Sequence, residues 1–503
     1  MVIPHHFIDS QTGSFLDSRM HMKFLAKWAF LIAFNGFGWA FAQNTTTLKK
    51  QSALSPVATT ESSTKAASAL SSRSYQLSAS LFSYNYLNST ETLNQIENEY
   101  GVRFFYDQNV KNQAQQKVDL RFGGYPKNSF SYFAAPEIFW GNRGQDHQGW
   151  QWSLGRRVQQ GSEIDQRFNL GMVNPVLTQD YIHFDRQGLT AVELGYQGRY
   201  WQSGVSFLGL YVPNQGPMVE ESKGQIITAN RWAKKPPMQF AFNNQNKPIV
   251  YNIKDYRFQD IVFNSGARAD ISLGRVQETP VLNLSYSRQP INEVVLARET
   301  YANLDIIGQV QLVPVVVYTR NVTADVSYKN KATTVFASFI QDAPENKSAP
   351  EYHSIQNLEG ITGYAVGFEY QIESRFFDKL TSEVSAAEFV GGKIVDLNSD
   401  GTENVFTFSK QRLQFTRPVQ FKIKSDTTVL GDRRLSSAVS WLYDQTQKGT
   451  VFSGQMALQA TRAFTVHVGA DVLGKDEESL KDELFIDQYK SNDRFYGGMV
   501  YVF

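Results

Sequence analysis

The sequence predicts an all-β fold: a transmembrane, antiparallel, up-and-down β-barrel of 16–18 strands, with short turns on one side and long loops on the other. Three observations predict it. The chain ends in Tyr496-Gly497-Gly498-Met499-Val500-Tyr501-Val502-Phe503, whose alternation ends on an aromatic and puts Met499, Tyr501 and Phe503 on one face. A hydrophobic period near two persists from about residue 74 to the C-terminus. Long and short connections alternate along the chain, a sorting that a soluble sandwich has no reason to show.

Composition agrees. With 503 residues the chain has room for several soluble domains, but 14% aromatics, including 36 Phe and 24 Tyr, favour one large barrel. Cysteine is absent, which excludes disulfides and thiolate metal sites. A net charge of +1 predicts no nucleic-acid partner. Mean hydropathy is −0.36, and no mature segment offers the roughly 18 unbroken apolar residues of a helical span. A barrel reconciles these facts, since a strand needs only every second residue apolar to stand in lipid.

Taken in order, residues 1–42 read as a secretory signal peptide: Lys23 and Lys27 precede the apolar run Trp28 to Trp39, and Ala40-Phe41-Ala42 offers small residues for cleavage before Gln43. The charge and apolar length start sensibly at Met22, so residues 1–21 read as an upstream, mis-assigned start. Residues 43–73, mostly Ser, Thr, Ala and Lys, cannot bury enough surface to fold and read as a disordered periplasmic tail. The barrel occupies 74–503.

Its expected strands lie near 75–87, 99–108, 116–123, 130–140, 149–158, 189–199, 202–212, 264–274, 279–290, 311–328, 331–342, 361–373, 378–390, 416–427, 433–445, 449–460, 463–474 and 493–503. The charges fall on one face of each. Tyr364, Val366, Phe368, Tyr370 and Ile372 alternate with Glu369, Gln371 and Glu373; Phe464, Val466 and Val468 alternate with Thr465 and His467. Ala267, Ala269 and Ile271 alternate with Arg268 and Asp270; Val192, Leu194 and Tyr196 alternate with Glu193, Gln197 and Arg199. The long loops 159–188, 213–263, 291–310, 343–360, 391–415 and 475–492 all follow odd-numbered strands.

The C-terminal residues also carry a resemblance. A glycine followed three and five residues later by aromatics at the C-terminus, here Gly498, Tyr501 and Phe503, resembles the signal by which Gram-negative outer-membrane barrels are recognised for assembly. The resemblance implies an outer-membrane location, with the turns periplasmic, and partners in the barrel-assembly machinery, outer-membrane lipid and lipopolysaccharide. The position of the loop after the fifth strand resembles that of general porins, which fold their third outer loop into the lumen opposite wall arginines. No porin motif matches residue by residue.

By that resemblance Glu163, Asp165, Arg167, Asp180, Asp185 and Arg186 are candidates for a charge-lined constriction, unless the loop is a solvated surface feature. The inward rows supply pore-lining candidates in Arg157, Glu193, Arg199, Arg268, Asp270, Glu369 and Arg434. Arg231-Trp232-Ala233-Lys234-Lys235-Pro236-Pro237, with Phe240 and Phe242, reads as a glycan-contacting patch or as a loop with packing of its own. Asp396, Asn398 and Asp400 with Gly401 suit calcium, yet Thr407 stands where an EF-hand has its Glu, so an Asp-Gly turn is the competing reading.

Neither an enzyme nor a cofactor is expected. Of the histidines after the signal, His147, His183, His353 and His467, none is at metal-ligand spacing to another, and GxSxG is absent. A TonB-type plug needs more chain than the tail offers. The expectation is therefore a porin-like outer-membrane channel passing small hydrophilic solutes by diffusion. An exporter of anionic polysaccharide and an adhesion or invasion barrel with a closed lumen are the alternatives. Solute, selectivity, and monomer or homotrimer state stay open.

Overall fold

A computed structural model describes residues 72–503, apart from 89–94, 110–113, 127–129, 143–147, 160, 212–213, 215, 218, 229, 234–237, 243–244, 277–278, 303–307, 350, 352, 375, 404–410, 430–432 and 477–483. The expected signal segment and most of the expected tail, together with His147, Lys234, Lys235 and Thr407, lie outside the described residues.

Eighteen strands form one sheet. They are β1 (Ser72–Tyr86), β2 (Ile96–Asn109), β3 (Gln115–Tyr125), β4 (Phe130–Gly141), β5 (Gly149–Arg157), β6 (Leu189–Gln197), β7 (Trp201–Leu210), β8 (Gly266–Leu273) and β9 (Val281–Pro290). The second half comprises β10 (Tyr318–Lys329), β11 (Thr333–Glu345), β12 (Ile361–Ile372), β13 (Lys379–Gly391), β14 (Pro418–Val429), β15 (Arg433–Asp444), β16 (Gly449–Gln459), β17 (Phe464–Lys475) and β18 (Arg494–Val502). Each strand pairs antiparallel with its sequence neighbours, and β18 returns to β1 in a register running from Ser78↔Val502 to Tyr86↔Arg494. Closure removes the sheet edge, as a hydrocarbon environment demands of backbone polar groups.

All eighteen expected strands are present. Residues 72 and 73, expected in the tail, already belong to β1. The tenth run, expected as 311–328, is two strands: Gly308–Val315 leaves the barrel and β10 begins at Tyr318, with the buried pair Val316-Val317 at the break.

The alternation is realised as a greasy exterior. Tyr364, Val366, Phe368 and Tyr370 of β12, and Phe495, Met499 and Tyr501 of β18, are all exposed large side chains, while the residues between them turn inward. Exterior charges such as Arg288, Arg320, Glu345 and Glu388 sit near the outer strand ends. The chain is thus a transmembrane β-barrel. Two inward glycines make room for rings on the neighbouring strand: a Cβ on Gly498 would stand 2.2 Å from the Phe82 ring, and one on Gly469 would stand 2.2 Å from that of Tyr496. Those rings therefore lie flat along the wall.

The outer loops are not irregular. Their segments Gln239–Phe242, Gln245–Ile253, Gly308–Val315, Val295–Ala302, His353–Leu358 and Ile394–Asn398 form, in that order, a six-stranded sheet above the barrel. Ile249–Ile253 pairs in parallel with Gly308–Leu312. Two small apolar nests hold this sheet, Ile226 with Ile249, Tyr251 and Leu312, and Ile291 with Val295, Val317 and Leu358. The described loops also hold three short α-helices, α1 (Glu163–Phe168), α2 (Phe258–Val262) and α3 (Phe485–Tyr489), a 3-10 turn at Lys490–Asn492, and two small ladders, Val176–Leu177 with Asp185–Arg186 and Glu220–Ser222 with Gln225–Ile227.

Candidate functional site

The loop between β5 and β6 crosses the lumen. Its helix α1 docks on the opposite wall, where the Ser162 hydroxyl meets Asp325 Oδ1 at 2.7 Å and Ser338 Oγ at 2.9 Å. The backbone N–H groups of Glu163 and Ile164 donate to the same two side chains at 2.9 and 3.1 Å. Ile164 is fully buried among Phe336, Ile340, Ile361 and Phe389 of β11–β13. A loop in solvent would leave those wall residues bare; here an apolar residue and a polar seat fix it together.

Arg167 supplies the loop's main electrostatic hold. It reaches Glu163 at 3.1 Å, Glu369 at 3.3 Å and Glu383 at 2.8 Å, and its guanidinium lies 4.5 Å from the Phe336 ring centroid. Burial opposes the charge, but Glu383, Glu163 and Glu369 outweigh it, so the guanidinium is held more firmly protonated than usual. Farther along, polarity reverses. Asp180 pairs with Arg494 of β18, and Asp185 pairs at 2.7 Å with Arg121 of β3, which also holds Asp119. His183 Nε2 lies 3.0 Å from Asp471 of β17. Burial opposes its protonation, and Asp471 overcomes that, so its pKa is raised.

Not every expected constriction residue faces space. Asp165 is buried and accepts the Met172 N–H at 2.8 Å, a tie within the loop, and burial raises its pKa. Arg186 turns back to the Gln166 carbonyl and to Asn169, and burial lowers its pKa.

The loop fills one half of the lumen. From β5 round to β13 many mid-strand inward residues are buried, among them Gln151, Glu193, Ser206, Asn321, Asp325, Ser338 and Ser385. From β14 round to β2 the corresponding Lys424, Ser436, Ala438, Ser453, Ala457, Ser80 and Gly101 are half-buried, and the inward Gln455 is exposed. A lane runs there, its wall made mostly of small neutral side chains with Lys424 among them.

This division corrects part of the expected pore lining. Arg157 pairs with Glu193 at 3.1 Å on the filled side, where Glu193 is 1% exposed and also holds Ser153 and Gln159. Arg268 is buried on that side too, and Asp270 is half-buried below it. Arg199 is not on the wall: β6 ends at Gln197, and Arg199 is exposed in the turn to β7, its guanidinium 5.1 Å from the Tyr200 ring centroid. Glu369 belongs to the Arg167 cluster. Arg434 reaches Asp426 at 2.9 Å near the periplasmic end of the lane.

Within the basic and aromatic stretch, Arg231 and Trp232 are buried and are not part of a surface patch. Trp232 is 2% exposed and packs with Tyr181 of the third loop and with Phe485 and Tyr489 of α3. Arg231 donates to the Asn88 and Ser491 carbonyls at 2.8 Å. Together they cap the outer mouth. Phe415 adds its ring 5.3 Å from Phe485.

The calcium candidates do not converge. Asp396 is buried against Arg298 in the outer sheet, where burial, only partly offset by that arginine, pushes its pKa up to about 6. Asn398 and Asp400 bond Thr402 around Gly401, whose φ of +81° makes the Asp-Gly turn. Among the described residues no group of acidic and histidine side chains is arranged to hold a metal. His353 bridges to Glu299 within the outer sheet, and His467 lies in the lane with its ring 5.5 Å from that of Phe82. Gly498 takes the Phe82 ring, while Tyr501 and Phe503 point outward with ring centroids 5.0 Å apart.

No family model and no curated protein matches the chain. Solved barrels do. The outer membrane protein opdK of Pseudomonas aeruginosa is 10% identical, with 86% of this chain and 99% of that one covered and a TM-score of 0.41. OccK11 (OpdR) of Pseudomonas aeruginosa is 8% identical over 86% and 95%, with a TM-score of 0.40. A mutant of Rh. blastica porin is 10% identical over 86% and 100%, with a TM-score of 0.35.

Proposed function

We propose that the chain is a porin-like channel of a Gram-negative outer membrane that passes small hydrophilic solutes by diffusion. The observation that carries the reading is the half-filled lumen: the third loop covers the mid-wall from β5 to β13 and meets β17 and β18 through Asp471 and Arg494, while mid-strand inward residues such as Ser436, Ala438, Ser453 and Ser80 are half-buried and Gln455 is exposed. The loop is the size-limiting element. Its ion pairs consume most of its charge, so Lys422, Lys424, Arg434, Asp426 and the half-exposed Asp185 set the field that a solute meets. Gly498, Tyr501 and Phe503 act as the assembly signal of such a barrel.

A second reading has an observation of its own. The aromatic cap of Tyr181, Trp232, Phe415, Phe485 and Tyr489, beneath a six-stranded outer sheet, suits a barrel whose lumen is shut and whose loops face another surface. Planar-bilayer recording of the refolded protein decides. Stepwise ohmic conductance is expected of a channel; a silent bilayer containing folded, heat-modifiable protein overturns that reading in favour of the closed barrel.

A further inference from the structure

On the outer face of the barrel, at the extracellular ends of β7–β11, a surface combines exposed phenylalanines with more cations than carboxylates. Helix α2 has no buried residue, and Phe258 and the following Phe263 are 76% and 74% exposed. It stands on the rim, tied to the end of β7 by the Tyr211 N–H, which donates to the Ile261 carbonyl at 3.0 Å. Asn264 then accepts the Tyr318 hydroxyl at 3.1 Å, joining the helix end to the outward row of β10.

That row carries the charge. Arg288 and Arg320 are directly opposite on β9 and β10, both pointing outward. Like charges so placed repel. Glu345 stands between them, 2.6 Å from Arg288 and 2.8 Å from Arg320, and neutralises one of the two. The Arg288 guanidinium also lies 4.3 Å from the Tyr318 ring centroid. Arg257 pairs with Asp260 at the helix, and Lys347 is exposed close enough to Asp260 to act on it. Among the described residues Arg257, Arg288 and Arg320 form their ion pairs with Asp260 and Glu345, and with Lys347 the four cations outnumber those two carboxylates by two.

We infer that this surface holds a phosphorylated glycolipid of the outer leaflet, the lipid A portion of lipopolysaccharide. The guanidinium forks of Arg288 and Arg320 suit a phosphate, which supplies the missing negative charge. Phe258 and Phe263 lie beside them, where acyl chains leave the headgroup and where an aromatic exposed to water would otherwise gain nothing. The match is one of charge and polarity in the same order as the lipid presents them. The inference rests on the outer-membrane placement and not on whether the lumen conducts.

The test reconstitutes the full-length protein with bis-phosphorylated lipid A and counts bound lipid by native mass spectrometry, with conductance and heat-modifiability recorded on the same samples. Occupancy is expected to fall about tenfold for Arg288→Gln/Arg320→Gln and for wild type offered a dephosphorylated lipid A. Phe258→Ser/Phe263→Ser should weaken binding of either lipid, while Arg417→Gln, whose partner Glu388 lies elsewhere on the rim, should change nothing. Equal occupancy in wild type and the double arginine variant overturns the inference. So does loss of self-association in that variant at unchanged occupancy, which would assign the surface to a second copy of the chain. Silent bilayers with intact lipid binding would count against the channel alone.

Discussion

Arg167 shows how one side chain decides where a loop goes. It is 12% exposed and serves three carboxylates, so replacing it with methionine removes the guanidinium that bridges Glu369 and Glu383 and leaves Lys422, opposite Glu383 on β14, as the cation beside a half-buried Glu369 and a buried Glu383. Removing one partner of such a cluster costs about 3 kcal/mol, enough to free the α1 end of the loop in a large share of molecules. Arg167→Met should raise single-channel conductance and expose the loop to added protease; unchanged conductance would mean that Ser162 and Ile164 hold it unaided. At the other end the hold is pH-dependent. His183 faces Asp471, Asp180, Arg494 and Tyr496, and its raised pKa means that the folded chain favours the protonated ring. The contribution is therefore complete below the ordinary imidazole value of about 6.5 and is lost as pH rises through the raised folded value. Protease nicking of the loop should increase over that rise in wild type and show no such step in His183→Gln.

At the scale of elements, the strands were legible and the loops were not, for the same physical reason. A strand in lipid advertises itself locally: Val466 and Val468 alternate with Thr465 and His467 whatever their partners are. Even Arg199 fails only by position, two residues past the end of β6, where period two still holds but the chain has begun to turn. The third loop's destination depends on Asp325 and Ser338, more than 160 residues away in sequence, and nothing near Ser162 announces them. The outer sheet hides in the same way, since Ile249–Ile253 finds its parallel partner in a different loop. The Arg231-Trp232 pair reads as a sticky surface until Tyr181, Phe485 and Tyr489 close around it. A buried tryptophan removed from such a cluster costs about 3–5 kcal/mol. Trp232→Ala should therefore loosen the cap and increase the frequency or size of open events in a bilayer. A channel that is already fully open through another part of the mouth would show no change.

For the whole molecule, the asymmetry of the lumen is the feature that binds fold to function, and it makes a two-sided prediction. Ala438 sits on β15 between Lys424 and Gln455, its side chain half-buried on the open wall. Ser206 occupies a comparable inward position on β7 but is 1% exposed beneath the third loop. A tryptophan at 438 enters water-filled space and narrows the lane, so Ala438→Trp should lower conductance while leaving the barrel's heat-modifiable mobility as in wild type. A tryptophan at 206 has no room. Overpacking of a filled interior costs about 1–3 kcal/mol, and the loop, held by side chains rather than by the ladder, is the part that yields. Ser206→Trp should therefore lower thermal stability and, by pushing the loop toward the lane, make the current noisier rather than uniformly smaller. Equal effects of the two substitutions would mean that solute passes on both sides of the loop, and the half-filled lumen would no longer describe the conducting state.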